Sequence, residues 1–290
     1  MDSLPAWEAC LAKHKDQEGF YMKWTELVPS EFAKLVREEK VCVVPMGSLE
    51  RHGEHIPFGC DMVVAETLAG LAAQREPCVV FPGYYLAQVH EAACFTGTVN
   101  LPQAMAVEVL ARVLDGIATN GFEKIVILNG HGGNSHFLEY FSMSQLDEER
   151  SYVLYIISAT SSMTEEERTA LDAIWETRPL GHACELETSI YMACCPGLVR
   201  MDLTPGHVVD PLNRFSHLRP GGIHNALWWY ADYPQNIVGQ PSAATEEKGK
   251  KAVDLMVTAI ARSLRIIKDD QSAPALQKEF MEKVRHKAQL

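Results

Sequence analysis

The sequence predicts an α/β fold, because two apolar runs of strand type are each followed by a polar loop and then by a helical pattern. The first run covers residues 41–44, and residues 62–74 then place apolar side chains at helical spacing. The second run, residues 125–128, is continuously apolar, as in a strand buried on both faces, and a helix is predicted from residue 137. In open α/β folds, ligands bind outside the carboxyl ends of the strands. We therefore expect both loops to lie at one functional edge of the sheet.

The rest of the chain continues this alternation of strands and helices. A capped helix is predicted before the first strand, and a proline and an Asn-Gly pair bound a helix between residues 102 and 121. Residues 200–245 have weak periodicity, and we interpret them as loops around a pocket mouth or at a subunit contact. The other predicted elements are a strand beginning at 78 that becomes a loop by 90, a strand at 152–158, and helices at 164–175, from about 185, and at 246–268.

No internal repeat, low-complexity tract or domain boundary is visible in the 290 residues, so we expect a single domain spanning residues 1–290. Within it, residues 1–39 are predicted to form an N-terminal extension. Residues 269–290 are predicted to form a polar helix or tail.

The composition excludes several classes of partner. A formal net charge of −12 without a basic patch argues against nucleic acid or an anionic membrane. The first residues lack the cationic start and apolar core of a secretory signal, and no apolar run approaches the ~20 residues of a membrane span. The 8 cysteines are scattered without a CxxC pair, which indicates reduced thiols in a cytoplasmic protein.

The first polar loop carries metal-ligand chemistry. It places Glu50, His52, His55 and Asp61 within twelve residues, directly after a Gly-Ser turn. A carboxylate, an imidazole and a second carboxylate able to bridge suit Zn, Mn or a similar divalent ion. The alternative is that these side chains are solvated and that Asp61 only caps the following helix. The other loops favour the metal site.

The second polar loop, NGHGGN, places His131 among three glycines immediately after the predicted strand. A histidine there gains no packing, so we expect it to lie at the same sheet edge as Glu50 and His52. Phosphate binding is the alternative for a glycine-rich loop, but the segment matches neither GxGxxG nor the P-loop pattern.

A third segment, PLGHACELETS, places His182 before a helix that is predicted to begin near Glu185. Glu185 and Glu187 are two residues apart and cannot share one face of that helix. One of them is therefore expected to point into a site, while the other caps the helix or supports its neighbours.

Together the segments SLERHGEHIPFGCD, NGHGGN and GHACELETS resemble the creatininase (creatinine amidohydrolase) family over about residues 40–265, with TGTVNL and ATEEKG as further points of similarity. The resemblance implies a three-layer α/β/α sandwich with a mostly parallel central sheet. It also implies a dinuclear metal site and a homo-oligomer, typically a hexamer.

The family pattern also assigns ligands. Glu50, Asp61 and His131 would hold one metal ion, while His52, the bridging Asp61 and a further glutamate would hold the second. In creatininase proper that glutamate follows the NGH histidine, where this chain has a glycine. In the wider family it comes from the H-A-x-E motif, which maps to Glu185. This departure weakens the case for creatinine itself as substrate.

The resemblance implies a metal-dependent hydrolase in which two divalent ions, Zn and/or Mn with iron as a further candidate, activate water against a small cyclic amide or related carbonyl substrate. We assign His182 as the general acid/base and list Glu185 with it as catalytic. The competing histidines are His55, His90, His136 and His224.

The sequence is also compatible with two alternatives to an amidohydrolase. The aromatic run at 226–234 is similar to the branch of the family that hydrolyses a ring C–C bond in a keto-inositol. A metal-binding scaffold without catalysis is the alternative from a different functional class.

Overall fold

A computed structural model describes residues 22–287, so residues 1–21 of the predicted N-terminal extension lie outside the described part of the chain. The centre is a four-stranded parallel sheet with the order β2-β1-β3-β4. An α-helix connects each pair of consecutive strands, as parallel pairing requires. The strands are β1 (Val41–Met46), β2 (Val79–Val80), β3 (Lys124–Asn129) and β4 (Val153–Ser158).

The helices form the connections and most of the regular structure after β4. The helices before and between the strands are α1 (Pro29–Glu39), α2 (Cys60–Arg75), α3 (Gln103–Ala118) and α4 (Asn134–Ser144). The helices after β4 are α5 (Glu165–Asp172), α6 (Glu185–Cys194), α7 (Trp228–Asp232), α8 (Glu246–Asp269) and α9 (Ser272–His286). The predicted polar tail therefore contains a helix, α9.

Successive residues of a strand point to opposite faces of the sheet, and both faces are covered, which explains why residues 41–44 of β1 and 125–128 of β3 are continuously apolar. On one face Val43 and Val126 pack with side chains of α2, α6 and α8. On the other face Val44 and Ile127 pack with side chains of α1, α3 and α4. The architecture is the predicted α/β/α sandwich, with a parallel sheet between two helical layers.

The strand β2 is short because Pro82, which has no N–H to donate, and a glycine follow it. The chain nevertheless stays beside β1, since the N–H of Tyr84 donates to the carbonyl oxygen of Pro45 at 2.8 Å. Within residues 22–287, no helix combines the length and the apolar character that a bilayer crossing requires.

The carboxyl ends of β1 and β3 lie side by side, with Met46 paired to Asn129. The two polar loops therefore begin at one edge of the sheet, as predicted. A Cβ atom on Gly47 would lie 2.2 Å from the backbone nitrogen of Met62 in α2. Only glycine allows this close approach, which places Asp61, in the first turn of α2, at the end of β1.

Candidate metal centre

Three buried side chains converge at this edge of the sheet. Glu50, Asp61 and His131 each offer a ligand atom, and these atoms lie within 4.8 Å of one another. His131 Nδ1 is 2.8 Å from Asp61 Oδ2 and 3.2 Å from Glu50 Oε2. The structure therefore brings together three of the predicted ligands from segments that are far apart in the sequence.

His52 lies on the other side of Asp61. Its Nε2 is 3.1 Å from Asp61 Oδ1, and its Nδ1 is 3.1 Å from the carbonyl oxygen of Glu50. Because a carbonyl oxygen only accepts, Nδ1 carries a hydrogen, so the lone pair of Nε2 faces Asp61 once the ring has lost its second proton. The two oxygens of Asp61 thus face two different histidines, as they would in a carboxylate that bridges two cations.

The structure corrects the predicted role of Glu185. Its buried carboxylate accepts hydrogen bonds from Lys248 Nζ at 2.5 Å and from Thr177 Oγ1 at 2.7 Å, away from the cluster. Glu187 instead points toward the cluster, with Oε2 at 3.8 Å from His52 Nε2. A helix turns by about 100° per residue, so residues two apart point in nearly opposite directions. The sequence indicated this opposition but not which glutamate faces the site.

His182 lies beside this cluster, with its ring against that of His52. Its ring centroid is 4.0 Å from that of His52, and its Nε2 is 2.9 Å from the carbonyl oxygen of Arg51. Nε2 therefore carries a hydrogen that it donates to this carbonyl oxygen, which leaves Nδ1 as the nitrogen with the lone pair. Nδ1 is 3.9 Å from Glu187 Oε2, and the side chain lines a large cavity.

The competing histidines lie in different surroundings. His55 is buried, and its Nε2 lies 3.0 Å from the hydroxyl oxygen of Thr188. Burial, with a contribution from the charge of His52, lowers the pKa of His55 to about 4, so this ring stays neutral and structural. The other three, His90, His136 and His224, are exposed.

The buried charges hold one another in unusual protonation states. Burial disfavours the imidazolium form of His52, but the carboxylates around it, led by Asp61, outweigh burial and raise its pKa to about 10. Burial also disfavours the charged form of His131, but Asp61 and Glu50 outweigh burial and raise its pKa. Burial also disfavours the Asp61 carboxylate, yet the two histidines outweigh it and lower the pKa of Asp61 well below its usual range. In metal-free protein, protons on the histidines therefore balance the carboxylates, and a bound cation would displace them.

The donor set fits divalent metal ions. Among the described residues, the buried Glu50 Oε2 has no hydrogen-bond partner. Such an atom is costly to bury, and a cation between Glu50, Asp61 and His131 would satisfy it. Carboxylate and imidazole are ligands of Zn²⁺ and, for the carboxylates in particular, of Mn²⁺. Cys60 also lies near His52 and Asp61, but burial raises the pKa of its thiol, which keeps it protonated in metal-free protein.

A cavity of about 1210 Å³ opens onto the cluster. Its aromatic wall contains Trp228, Trp229 and Tyr140, and Gln88 and Gln103 add amide groups. Two of the aromatic residues come from the run at 226–234, so this part of the 200–245 segment does lie at a pocket mouth, as predicted.

A further carboxylate reaches His131 from a segment that the sequence did not single out. Glu91 Oε1 is 3.6 Å from His131 Nε2, and Gln88 donates to Glu91 Oε2 at 2.9 Å. A Cβ atom on Gly133 would lie 2.0 Å from Glu91 Oε1, so the absence of a side chain at Gly133 leaves room for the Glu91 carboxylate. Burial alone would raise the pKa of Glu91, but the interaction of Glu91 with His131 outweighs burial, and the net effect is a lowered pKa. The signal that could have identified Glu91 is its position in the segment that follows β2.

Asn236 is a second residue that the sequence did not single out. It is fully buried and donates to Glu50 Oε1 at 2.9 Å, although 186 positions separate the two residues. No local pattern identifies such a long-range contact.

Comparison with known proteins is consistent with this geometry. The chain is 25% identical over 253 residues to 3-dehydro-scyllo-inosose hydrolase of Thermotoga maritima, with 81% of each chain covered. It is 28% identical over 243 residues to mycofactocin precursor peptide peptidase of Mycolicibacterium smegmatis, with 79% and 86% covered. It is 24% identical over 263 residues to creatinine amidohydrolase of Pseudomonas putida, with 83% and 95% covered.

The fold is also shared with solved structures. A crystal structure of creatinine amidohydrolase (creatininase) matches with a TM-score of 0.74 at 20% identity, over 87% of this chain and 100% of that chain. The family model described as creatininase, creatinine amidohydrolase, matches residues 25–264. Because this match covers most of the sequence, the chain belongs to the creatininase family.

Proposed function

We propose that the protein is a hydrolase that depends on two divalent metal ions. Glu50, Asp61 and His131 would hold one ion, and His52, Asp61 and Glu187 would hold the other. The observation that supports this proposal most strongly is the position of Asp61, whose two oxygens face His52 and His131 at 3.1 and 2.8 Å. Divalent ions in such a site supply hydroxide from water near neutral pH and polarise a carbonyl group.

His182 is proposed to move the proton between the attacking water and the leaving group. Its Nε2–H is held by the carbonyl oxygen of Arg51 at 2.9 Å, which fixes the plane of the ring. Nδ1 is then free to accept and return a proton beside the cluster. Imidazole is the commonest general acid–base group, and this side chain is within reach of both the cluster and the cavity.

Mn²⁺ and Zn²⁺ are the ions to test first, with iron third. Solved creatininases include a manganese form and a zinc–zinc form. The mixture of carboxylates and imidazoles around Asp61 does not strongly favour one of these ions over the other. The identity of the native metal is therefore a question for elemental analysis.

For the substrate, we propose a small cyclic amide or a related carbonyl compound, in which a C–N bond is hydrolysed. Two of the relatives are by name an amidohydrolase and a peptidase. A leaving nitrogen requires a proton, and His182 Nδ1 is placed to deliver it.

Hydrolysis of a ring C–C bond in a keto-inositol is the second candidate, and the lining of the cavity supports it. The wall formed by Trp228, Trp229 and Tyr140 suits the apolar face of a ring, and the amides of Gln88 and Gln103 suit its hydroxyl groups. The relative from Thermotoga maritima is an inosose hydrolase.

A substrate screen with matched variants tests these proposals. Protein stripped of metal and reloaded with Mn²⁺ or Zn²⁺ is assayed on lactams, formamides and inososes. Turnover of one class should depend on added metal and should be lost in Glu187→Gln. The control is Glu139→Gln, a substitution of an exposed glutamate on α4, which should leave turnover unchanged. Metal-loaded protein that turns over none of these classes would favour the non-catalytic scaffold.

We also propose that the protein forms a homo-oligomer, with a hexamer as the expected size, and that it acts in the cytoplasm on a small molecule. Light scattering of the purified protein tests the number of copies.

A further inference from the structure

Asn236 lies in the connection after α7 and has a left-handed backbone with φ of 53°. Asparagine adopts this conformation more readily than most residues. Its carbonyl oxygen accepts a hydrogen bond from the N–H of Gly53 at 3.2 Å, so the connection is attached to the loop after β1. The side chain is therefore presented to the candidate metal centre from a fixed backbone.

The amide nitrogen of Asn236 donates hydrogen bonds to the loop that carries Glu50. Nδ2 donates to Glu50 Oε1 at 2.9 Å and to the carbonyl oxygen of Arg51 at 2.6 Å. The two oxygens of Glu50 are thus used differently, because Oε1 is paired while the buried Oε2 has no hydrogen-bond partner within residues 22–287. Oε2 lies 3.2 Å from His131 Nδ1, on the side where a cation would bind.

The amide oxygen of Asn236 accepts a hydrogen bond from the aromatic wall of the cavity. Oδ1 accepts a hydrogen bond from Trp229 Nε1, and the Trp229 ring packs edge-on against His182 with centroids 5.7 Å apart. An indole nitrogen only donates and a carboxylate only accepts, so these two partners fix the orientation of the Asn236 amide. No other arrangement of the amide satisfies both of them.

We propose that Asn236 is a positioning residue that couples the metal ligand Glu50 to the cavity wall at Trp229. This inference rests on the proposed metal centre. A cation that fixes Glu50 also fixes the Asn236 amide and, through it, the indole of Trp229. Because coupling between two sites is reciprocal, a change at the indole should alter metal affinity, although Trp229 makes no contact with the cluster carboxylates through its N–H.

The experiment measures Mn²⁺ affinity by calorimetry on metal-stripped full-length protein. The variants are Asn236→Gly, which keeps the left-handed backbone, Trp229→Phe, which removes the indole N–H, and the double variant. Asn213→Gly is the matched control, because Asn213 is exposed and has φ of 55°. Thermal unfolding of each protein without metal reports whether it is folded.

Loss of a hydrogen bond to a charged group should weaken Mn²⁺ binding about ten- to a hundredfold in Asn236→Gly. Trp229→Phe should weaken it by less, about two- to tenfold, because the donors to Glu50 remain. The double variant should bind about as weakly as Asn236→Gly alone, since both changes act through one amide. Asn213→Gly should bind as the wild type does.

Wild-type affinity in Trp229→Phe, or effects that simply add in the double variant, would overturn the coupling. Trp229→Phe keeps an aromatic ring in the wall and decides the question even if Asn236→Gly does not fold. A wild-type protein that binds no Mn²⁺ or Zn²⁺ would instead refute the metal centre, and the inference with it.

Discussion

Glu185 and Glu187 stand two residues apart at the start of α6, and replacing each by glutamine should have opposite consequences. Glu185→Gln removes the carboxylate that accepts from Lys248 Nζ at 2.5 Å. Glu187→Gln removes a carboxylate 3.8 Å from His52 Nε2. We expect the first variant to lose stability and keep its metal, and the second to lose metal and keep its stability.

The magnitude for Glu185→Gln follows from the surroundings of Lys248. The Glu185 side chain is 0% exposed and that of Lys248 only 14% exposed. Breaking a buried ion pair costs about 3–5 kcal/mol when the remaining charge is left without a partner. Lys248 keeps a second partner in the more exposed Glu176 at 2.9 Å. We therefore expect a loss of about 2–4 kcal/mol, or on the order of 5–10 °C in Tm.

The pH dependence of this loss has a definite sign. Burial raises the pKa of Glu185, but the hydrogen bonds from Lys248 and Thr177 outweigh burial and lower it in the folded protein. A carboxylate with a lowered folded pKa stabilises the fold fully above its unfolded pKa of about 4.3. The difference in Tm between wild type and Glu185→Gln should therefore be full at pH 6–8 and shrink as the pH falls below about 4.3.

Thermal unfolding followed by circular dichroism, together with elemental analysis of each reloaded variant, measures both effects. A Glu185→Gln variant that kept the wild-type Tm while losing metal would contradict a structural role for Glu185. A Glu187→Gln variant that kept a full complement of metal would exclude Glu187 as a ligand.

Three further predictions concern the cluster. Asp61→Ala should release both ions whereas His52→Ala should mainly release one, and equal metal loss in the two variants, measured by elemental analysis, would argue against bridging. His182→Gln should keep its metal, lower turnover roughly 10²–10⁴-fold and lose one limb of the pH–rate profile, whereas an unchanged profile would remove His182 from the mechanism. Between pH 6 and 8, metal affinity should rise about tenfold per pH unit for each proton that the metal displaces. The reason is that the pKa of His52 is raised to about 10 and that of His131 is also raised, so both rings carry a proton to be displaced. A constant affinity over this range, measured by calorimetry, would show that no proton leaves the histidines on binding.

The parts of the fold and site that depend on local sequence were predictable. The apolar runs of β1 and β3 and the helical periods after them fix the two strand–loop–helix units, and parallel pairing then brings their loops to one edge. This topology brings the loops of Glu50 and His131 together, and the close approach that Gly47 permits adds Asp61.

The parts that depend on long-range packing were not predictable. Whether Glu185 or Glu187 faces the cluster depends on which side of α6 packs against Lys248 of α8, and no local pattern records this. Glu91 and Asn236 reach the cluster from segments whose own sequences suggest only loops. The position of Glu91 after β2 is a weak signal, whereas the role of Asn236 is visible only from its contacts across the chain.

Asp61 is proposed to join two metal ions in one site. The most direct measurement is the electron paramagnetic resonance spectrum of Mn²⁺-loaded protein, with the metal content of the same sample determined by elemental analysis. We predict close to two equivalents of Mn²⁺ per chain and the signal of a magnetically coupled pair, with both lost in Asp61→Ala. A single equivalent with the spectrum of isolated Mn²⁺ ions would show that Asp61 does not bridge two ions.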